Sequence, residues 1–194
     1  MRKTLVVLAL AAALPMIPAR AHAQQVSDEE RLAARNLYFD GVKLQDAGNY
    51  AEALDKFTRA QKIFSAPTHV LRIAECQAGL NKLVEAVETY RTVIKADLGK
   101  NPPPAFTQAQ QQAAAELPQV EARIPSLKVD VQPQNVQNPV LTVNGAPVNA
   151  ALIGVARPIN PGTHTVSVTA PGYGKAEQTV TLKEKEQRAI TLTL

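Results

Sequence analysis

The chain has 194 residues and a formal charge of +4, from 21 lysines and arginines against 17 aspartates and glutamates. So small an excess gives no electrostatic reason to expect nucleic-acid binding, and 45% hydrophobic residues argue against a wholly disordered chain. A single cysteine excludes an intramolecular disulfide framework and a cysteine-based zinc site.

Residues 1–23 have the pattern of a secretory signal peptide. A basic start precedes an apolar run over residues 5–14, and small residues at Ala21 and Ala23 leave two cleavage sites open. The apolar run is too short to span a bilayer. Without this segment, 171 residues carry 18 basic and 17 acidic side chains. We expect an exported protein, periplasmic or at the cell surface or outside the cell, with no membrane span after cleavage.

Helical patterns follow in the next part of the chain. Ser27–Glu30 has the sequence of a capping box and predicts a helix start, and apolar residues recur at helical spacing until Gly48. A second helix is predicted from about Tyr50 to Phe64. Pro67 is expected to open a third, because proline is tolerated in a first helical turn.

The helical part repeats itself after 33 residues. Small residues at equivalent positions would let paired helices approach closely, and aromatic residues would fill the gap between successive pairs. The matching pairs are Gly41 and Ala74, Tyr50 and Leu83, Glu52 and Glu85, Ala53 and Ala86, Leu54 and Val87, and Phe57 and Tyr90.

The segment from about Ala34 to Asp97 resembles two tetratricopeptide repeats, most closely over Gly48–Phe57. We therefore expect two such helical hairpins within residues 27–100. The family is usually a binding scaffold whose first helices line a concave groove. The resemblance implies that four side chains face a protein partner, namely Arg35, Tyr38, Gln45 and Glu75.

A capping and connecting helix is predicted over residues 104–124, after the breaker run Asn101–Pro104. Two repeats rarely bury enough surface alone, so a further helix should cover the second one. Pro118 is expected to kink or interrupt this helix, because proline lacks the amide of the helical ladder.

Residues 125–194 change to a period of two. Leu127, Val129 and Val131 share one face of a predicted strand, and Asn144–Gly145 is a strong hairpin signal. Five to seven short strands separated by turns predict a small antiparallel β-sandwich. The expected fold class is therefore α+β, with helical hairpins before the sandwich.

This C-terminal part resembles the PEGA domain, a small β-module of secreted and surface proteins. The resemblance rests on Val143–Gly145, then Pro161–Val166, then Pro171–Tyr173, followed by a closing strand of alternating Thr and Leu. It implies a structural or binding module without catalytic apparatus. Tyr173 is expected to fold back onto the sandwich as a packing anchor.

The side chains that could serve in catalysis or metal binding each have a structural interpretation. We expect His164 at the edge of the β-core, His69 facing solvent in a first helical turn, and Cys76 as a small buried hydrophobe, with intermolecular pairing as its alternative. Glu85 and Glu88 fit a solvated helix face. We expect no catalytic residues, no metal site and no cofactor.

Three function classes compete. The first is a non-enzymatic interaction or scaffold protein of the bacterial cell envelope, whose helical groove binds a protein partner and whose β-domain docks to an envelope structure. The second is a carbohydrate or cell-wall binder acting through the β-domain. The third, an enzyme, is disfavoured for lack of adjacent capable residues. The sequence thus predicts a protein partner, leaves a cell-wall or surface glycan open, and gives no sign of nucleic acid.

Overall fold

The computed structural model describes residues 26–194, so the predicted signal peptide at residues 1–23 lies outside the described residues. Five α-helices precede seven β-strands in this part of the chain, which gives the predicted α+β class. The helices are α1 (Asp28–Asp46), α2 (Tyr50–Ile63), α3 (Pro67–Gly79), α4 (Leu83–Lys95) and α5 (Pro104–Glu121). No helix among these is both long and apolar enough to cross a membrane.

The capping box at the start of α1 is formed. The Glu30 amide donates to Ser27 Oγ at 3.1 Å, and the Ser27 amide donates to Glu30 Oε2 at 2.7 Å. The second bond lowers the pKa of the Glu30 carboxyl, because it favours the charged form. The first helix therefore begins where the sequence pattern predicts.

Two helical hairpins, α1 with α2 and α3 with α4, form the N-terminal part. Helices α2 and α4 begin 33 residues apart, and Phe57 and Tyr90 are both buried inside the hairpins. A Cβ atom at Gly41 would lie 2.7 Å from Phe57 Cε1, and one at Gly79 would lie 2.8 Å from the ring of Tyr50. Glycine thus lets each aromatic ring pack directly on helix backbone.

Helix α5 packs against both α3 and α4 and covers the second hairpin. Its buried side is small, with Ala109 and Ala113 in the interface, and Gln110 Nε2 donates to the carbonyl of Ala96 at 2.7 Å beyond the end of α4. The expected interruption at Pro118 does not occur. The helix continues through Pro118 to Glu121 at the cost of the single amide bond to residue 114, and the Pro118 carbonyl accepts from the Ala122 amide at 3.1 Å.

The C-terminal part is a sandwich of two sheets. One sheet has the order β4-β1-β7 and the other the order β3-β2-β5-β6. The strands are β1 (Ser126–Gln132), β2 (Val140–Val143), β3 (Ala146–Val148), β4 (Arg157–Pro158), β5 (Gly162–Thr169), β6 (Ala176–Leu182) and β7 (Gln187–Thr193). The alternating strand residues predicted to face inward form a shared core.

Pairing in the four-stranded sheet is antiparallel throughout, whereas β1 and β7 run parallel over seven residue pairs. Antiparallel pairing alone was expected, so the three-stranded sheet differs from the prediction. Period-two alternation places a residue on a face, but it carries no information about the direction of a distant partner strand.

The predicted hairpin turn joins β2 to β3. Asn144 and Gly145 have φ values of 51° and 78°, the conformation that favours Asn-Gly in two-residue hairpins. The prediction for Tyr173 is wrong, because its side chain is 45% exposed. Its amide donates to the Ala170 carbonyl at 3.1 Å and closes a turn through Gly172, which has a φ of 82°.

Direct hydrogen bonds join the helical part to the sandwich. Asn160 Oδ1 accepts from the Val84 amide at 2.8 Å, and its Nδ2 donates to Glu85 Oε2 at 2.7 Å. Arg123 donates twice to Glu184, at 3.0 and 2.7 Å, which lowers the pKa of that carboxyl. The β-domain is therefore docked at the start of α4 and the end of α5.

Candidate functional site

A row of hydrogen-bonded side chains crosses the face shared by α1, α3 and α5. We call it the polar row, and it consists of Gln45, Glu75, Gln112 and Glu116. Gln45 Nε2 donates to Glu75 Oε2 at 2.6 Å, and Gln112 Nε2 donates to Glu75 Oε1 at 3.0 Å. Gln112 also donates to Glu116 at 2.8 Å. One helix from each successive pair, together with the covering helix, thus contributes to one surface.

The polar row is held from both sides. Arg72 donates to Glu75 at 2.9 Å, and the hydroxyl of Tyr90 donates to Glu116 at 2.7 Å. Burial, followed by the bond to Glu116, raises the pKa of Tyr90, so this hydroxyl stays protonated. Gln45 Oε1 is buried, and nothing in residues 26–194 donates to it. The hydrogen bonds to Glu75 and Glu116 hold the polar row in one arrangement.

An open cleft of about 430 Å³ lies beside the polar row, between α1, the end of α2 and the first turns of α3 and α5. Two arginines from α1 lie in it. Arg31 is placed over the ring of Phe64, and Arg35 over the ring of Phe39, each at 5.5 Å from the centroid. The lining residues are Arg31, Ala34, Arg35, Tyr38, Phe64, Ala66, Thr68, His69, Ala105 and Phe106.

His69 lines this cleft and is only 7% exposed, so the expectation that it faces solvent is wrong. Its Nδ1 lies 3.0 Å from the carbonyl oxygen of Phe64, and its ring lies 5.4 Å from that of Tyr38. Burial lowers the pKa of His69, which favours the neutral ring. With the proton on Nδ1 as donor to Phe64, Nε2 is left as an acceptor.

The four residues predicted to face a partner lie on α1 and α3. The structure brings Gln45 and Glu75 into one hydrogen bond and places Arg35 and Tyr38 together in the cleft. Gln45 and Glu75 are not among the residues that line the cleft.

Other residues of this surface were missed in the sequence. Arg31 lies four residues before the predicted Arg35, which places both on one helix face, and Phe39 adjoins the predicted Tyr38. These two spacings could have identified Arg31 and Phe39 from the sequence. Phe106 and Gln112 belong to α5. Because this helix is only weakly apolar, its sequence pattern did not predict which side would pack against α3.

His164 has a structural environment inside the β-domain. Asn144 Nδ2 lies 2.9 Å from its Nδ1, and its Nε2 lies 2.8 Å from the carbonyl oxygen of Asn160. The imidazole is 8% exposed and links two turns. Within residues 26–194, the partners of the two His164 nitrogens and of His69 Nδ1 are a side-chain amide and two backbone carbonyls.

Cys76 is fully buried, as expected from the sequence. Burial, followed by the charge of Glu75, raises the pKa of its thiol to about 12. The thiol is therefore protonated and inaccessible, which makes it a poor nucleophile and a poor metal ligand. No group of three or more His, Cys, Asp or Glu side chains suited to a metal occurs within the described residues.

A second cleft of about 380 Å³ lies where α4 and the end of α5 meet the β-domain. Arg157 lines it with Arg91, Glu88 and Glu121, and Arg91 binds both of these carboxylates. Burial lowers the pKa of Arg157, and its NH2 nitrogen is buried without an acceptor in residues 26–194. The cleft is lined by two arginines and two glutamates, so its formal charge is zero.

The outer face of the four-stranded sheet is rich in hydroxyl groups. Thr142 and Ser167 lie 2.9 Å apart through their hydroxyl oxygens, and Thr163 and Thr181 lie 3.0 Å apart. Thr165 and Thr179 are opposite each other on neighbouring strands. The face offers ordered donors and acceptors without an exposed aromatic row.

The comparisons with known proteins concern the β-domain. Residues 140–194 match the family model of the PEGA domain. The matched segment runs from β2 to the end of the chain. Strand β1 precedes it but pairs along its whole length with β7, so the folded unit is larger than the match. No curated protein sequence matches the chain. For the helical part, the resemblance to tetratricopeptide repeats stays a prediction.

Proposed function

We propose that this protein is a non-enzymatic binding protein of the bacterial cell envelope. Its helical hairpins, interpreted as tetratricopeptide-like repeats, hold a segment of a protein partner, and its PEGA-like domain docks to an envelope structure. Export follows from the predicted signal peptide.

The observation that carries the proposal is an exposed aromatic side chain on α1 with an arginine over its ring. Phe39 is 48% exposed, packs edge-on against Tyr38 at 5.9 Å between centroids, and has Arg35 over its ring. Aromatic and arginine side chains are the residues most enriched among energetically dominant interface positions. An exposed, positioned pair of this kind is the best-defined contact for a partner on this surface.

The expected mechanism is side-chain capture on a preformed surface. A partner segment would bury apolar groups against Phe39 and Tyr38, while the polar row would fix its register through hydrogen bonds. Because the polar row is already ordered, binding would cost little conformational entropy. The face is short, so the affinity should be modest.

The test is a photo-crosslinking amino acid placed at Phe39 in cells that make the protein, with the same amino acid at Arg59 as control. Arg59 is exposed on α2, where it pairs with Asp55. The partner crosslinked at position 39 is then purified and its affinity measured. We expect Phe39→Ala or Arg35→Ala to weaken binding about tenfold or more, as for dominant interface residues, and Arg59→Ala to leave it unchanged.

Two results would overturn this proposal. One is a crosslinking pattern identical at positions 39 and 59. The other is a purified partner whose affinity is insensitive to both substitutions on α1. Tyr38→Phe and Gln45→Ala extend the series to the predicted partner residues, with the folded state checked by circular dichroism.

A carbohydrate or cell-wall binder is the second candidate, favoured by the hydroxyl-rich outer face of the four-stranded sheet. The full chain would be mixed with purified peptidoglycan and sedimented. The paired change Thr165→Ala with Thr179→Ala should reduce the sedimenting fraction, and Thr107→Ala on α5 should not. Equal sedimentation of all three proteins would remove the threonine face from consideration.

A further inference from the structure

We propose that the cleft beside the polar row binds a free amphiphilic carboxylate, meaning a small molecule with an apolar body and a single carboxylate head. This ligand is separate from the protein partner proposed above, and its binding would not depend on that partner. The inference rests on the walls of the cleft, the charges at its rim and the groups that surround it.

The walls suit an apolar body. Five lining residues are apolar and come from three segments, namely α1, the connection between α2 and α3, and α5, and the volume of about 430 Å³ falls within the range of small-molecule sites. Ala34 and Ala66 are buried at the base, and their small side chains leave the space open. The apolar residues are Ala34, Phe64, Ala66, Ala105 and Phe106.

The rim suits an anion. Among residues 26–194, neither Arg31 nor Arg35 forms an ion pair with a carboxylate, and each is held over an aromatic ring. Stacking on a ring fixes the guanidinium plane and leaves its edge free for two parallel hydrogen bonds to a carboxylate. Within residues 26–194, the one hydrogen bond of Arg31 goes from Nε to the Val26 carbonyl, at a long 3.4 Å.

The remaining groups of the cleft reinforce this preference. None of its lining residues is acidic, and Thr68 and Ala105 come from the first turns of α3 and α5. The positive ends of these two helix dipoles therefore lie at the cleft and favour negative charge. His69 is neutral through burial and supplies a polar but uncharged wall.

The polar row favours a free molecule over an acidic protein segment. Glu75 is paired with Arg72, but no lysine or arginine within residues 26–194 pairs with Glu116, so an acidic segment extending along α5 past the cleft would be repelled by the Glu116 carboxylate. The donors of the row, Gln45 and Gln112, are already bonded to these carboxylates. A small acid whose body stays inside the cleft would avoid this repulsion.

The experiment uses decanoate, below its micelle-forming concentration, as the probe. The chain has no tryptophan, so Phe106→Trp introduces a single fluorescent reporter at the cleft, and calorimetry on the unchanged protein gives the affinity. We expect decanoate to shift the reporter signal, decan-1-ol to bind more weakly, and acetate to give no signal because it lacks the apolar body.

Charge removal tests the head-group assignment. Arg31→Gln together with Arg35→Gln should weaken decanoate binding about three- to tenfold, the range for two solvent-exposed ion pairs. Arg59→Gln, which removes an arginine outside the cleft, should leave the affinity unchanged. Raising the salt concentration should weaken binding to the unchanged protein more than to the double variant.

Equal affinity of decanoate for the unchanged protein and the double arginine variant would overturn the inference, as would an absent reporter response. A synthetic peptide with an acidic and an apolar residue that binds at the reporter more tightly than decanoate would also overturn it and assign the cleft to the protein partner. If a partner is crosslinked at Phe39 but decanoate does not bind, the proposed function stands and the small-molecule site is rejected. If decanoate binds but no partner is crosslinked at Phe39, only the small-molecule site stands.

Discussion

At the scale of single residues, two neighbours on α3 show how the polar row is built: the Glu75 carboxylate is paired and hydrogen-bonded, and the Cys76 thiol is neutral. Glu75 accepts hydrogen bonds from Gln45, Arg72 and Gln112, so its carboxylate is anchored from three directions. Cys76, next to it in sequence, points into the core and is protected as a neutral thiol. Adjacent residues on one helix thus serve the surface and the interior.

His69 makes stability depend on pH. Because burial lowers its folded-state pKa below the usual 6.5, the unfolded chain binds the proton more readily. Its contribution to stability is complete above pH 6.5 and is lost as the pH falls below that value. We expect the free energy of unfolding to fall more between pH 7.5 and 5 in the unchanged protein than in His69→Asn.

Urea denaturation at the two pH values measures this difference. Asparagine keeps an amide donor near the position of Nδ1, so the bond to the Phe64 carbonyl can be retained. Carboxylates titrate alike in both proteins and cancel in the comparison. An identical fall in both proteins would show that His69 is protonated equally in the folded and unfolded states.

At the scale of elements, the helical hairpins depend on aromatic rings lying against helix backbone. Gly41 and Phe57 form such a contact between α1 and α2, and Gly79 and Tyr50 form another between α3 and α2. These contacts fix how closely the helices approach and therefore which side chains of α1 and α3 share a face. The polar row follows from this spacing.

Gly41→Ala should lower the free energy of unfolding by roughly 1–3 kcal/mol through overpacking. The new methyl group would press on the Phe57 ring, which is fully buried and cannot move aside freely. Gly174→Ala is the control, since nothing lies within 4 Å of a Cβ built there, and it should change stability by less than about 0.5 kcal/mol. Chemical denaturation measures both.

A double variant identifies the contact responsible. If the ring causes the cost, Gly41→Ala combined with Phe57→Leu should lose less stability than the two single changes together, because the smaller side chain leaves room. Strict additivity would place the strain elsewhere in the hairpin.

At the scale of the whole molecule, Asn160 connects the two parts. Helix α4 has no side-chain cap of its own, and the amide of Val84 is satisfied by Asn160 from the β-domain. His164 holds the carbonyl of the same asparagine at 2.8 Å. A turn of the sandwich therefore acts as the N-terminal cap of a helix in the other part of the chain.

Asn160→Ala should destabilise the protein by about 1 kcal/mol, as expected for loss of a helix cap. It should also speed hydrogen exchange of the Val84 amide, which loses its acceptor. Asn135→Ala, an exposed substitution in the loop after β1, is the control and should change neither quantity. Unchanged exchange at Val84 would mean that the bond to Asn160 does not persist in solution.

Local sequence patterns predicted much of the architecture. The capping box at Ser27, the Asn144–Gly145 turn and the change from helical to alternating periodicity depend on interactions between near neighbours, and each is present where the sequence predicts it. The burial of Cys76 was expected because a free cysteine behaves as a small hydrophobe. Physical rules that act over a few residues can be applied without knowing the fold.

Tertiary structure decided the features that join distant residues. The parallel pairing of β1 with β7, the burial of His69 beneath Tyr38 and the seating of Asn160 on α4 each bring together groups that no local pattern relates. The cleft also depends on tertiary structure, because α1, α3, α5 and the connection between α2 and α3 must meet before Arg31 and Phe106 line one space. Packing between elements, rather than propensity within them, creates the candidate binding surface.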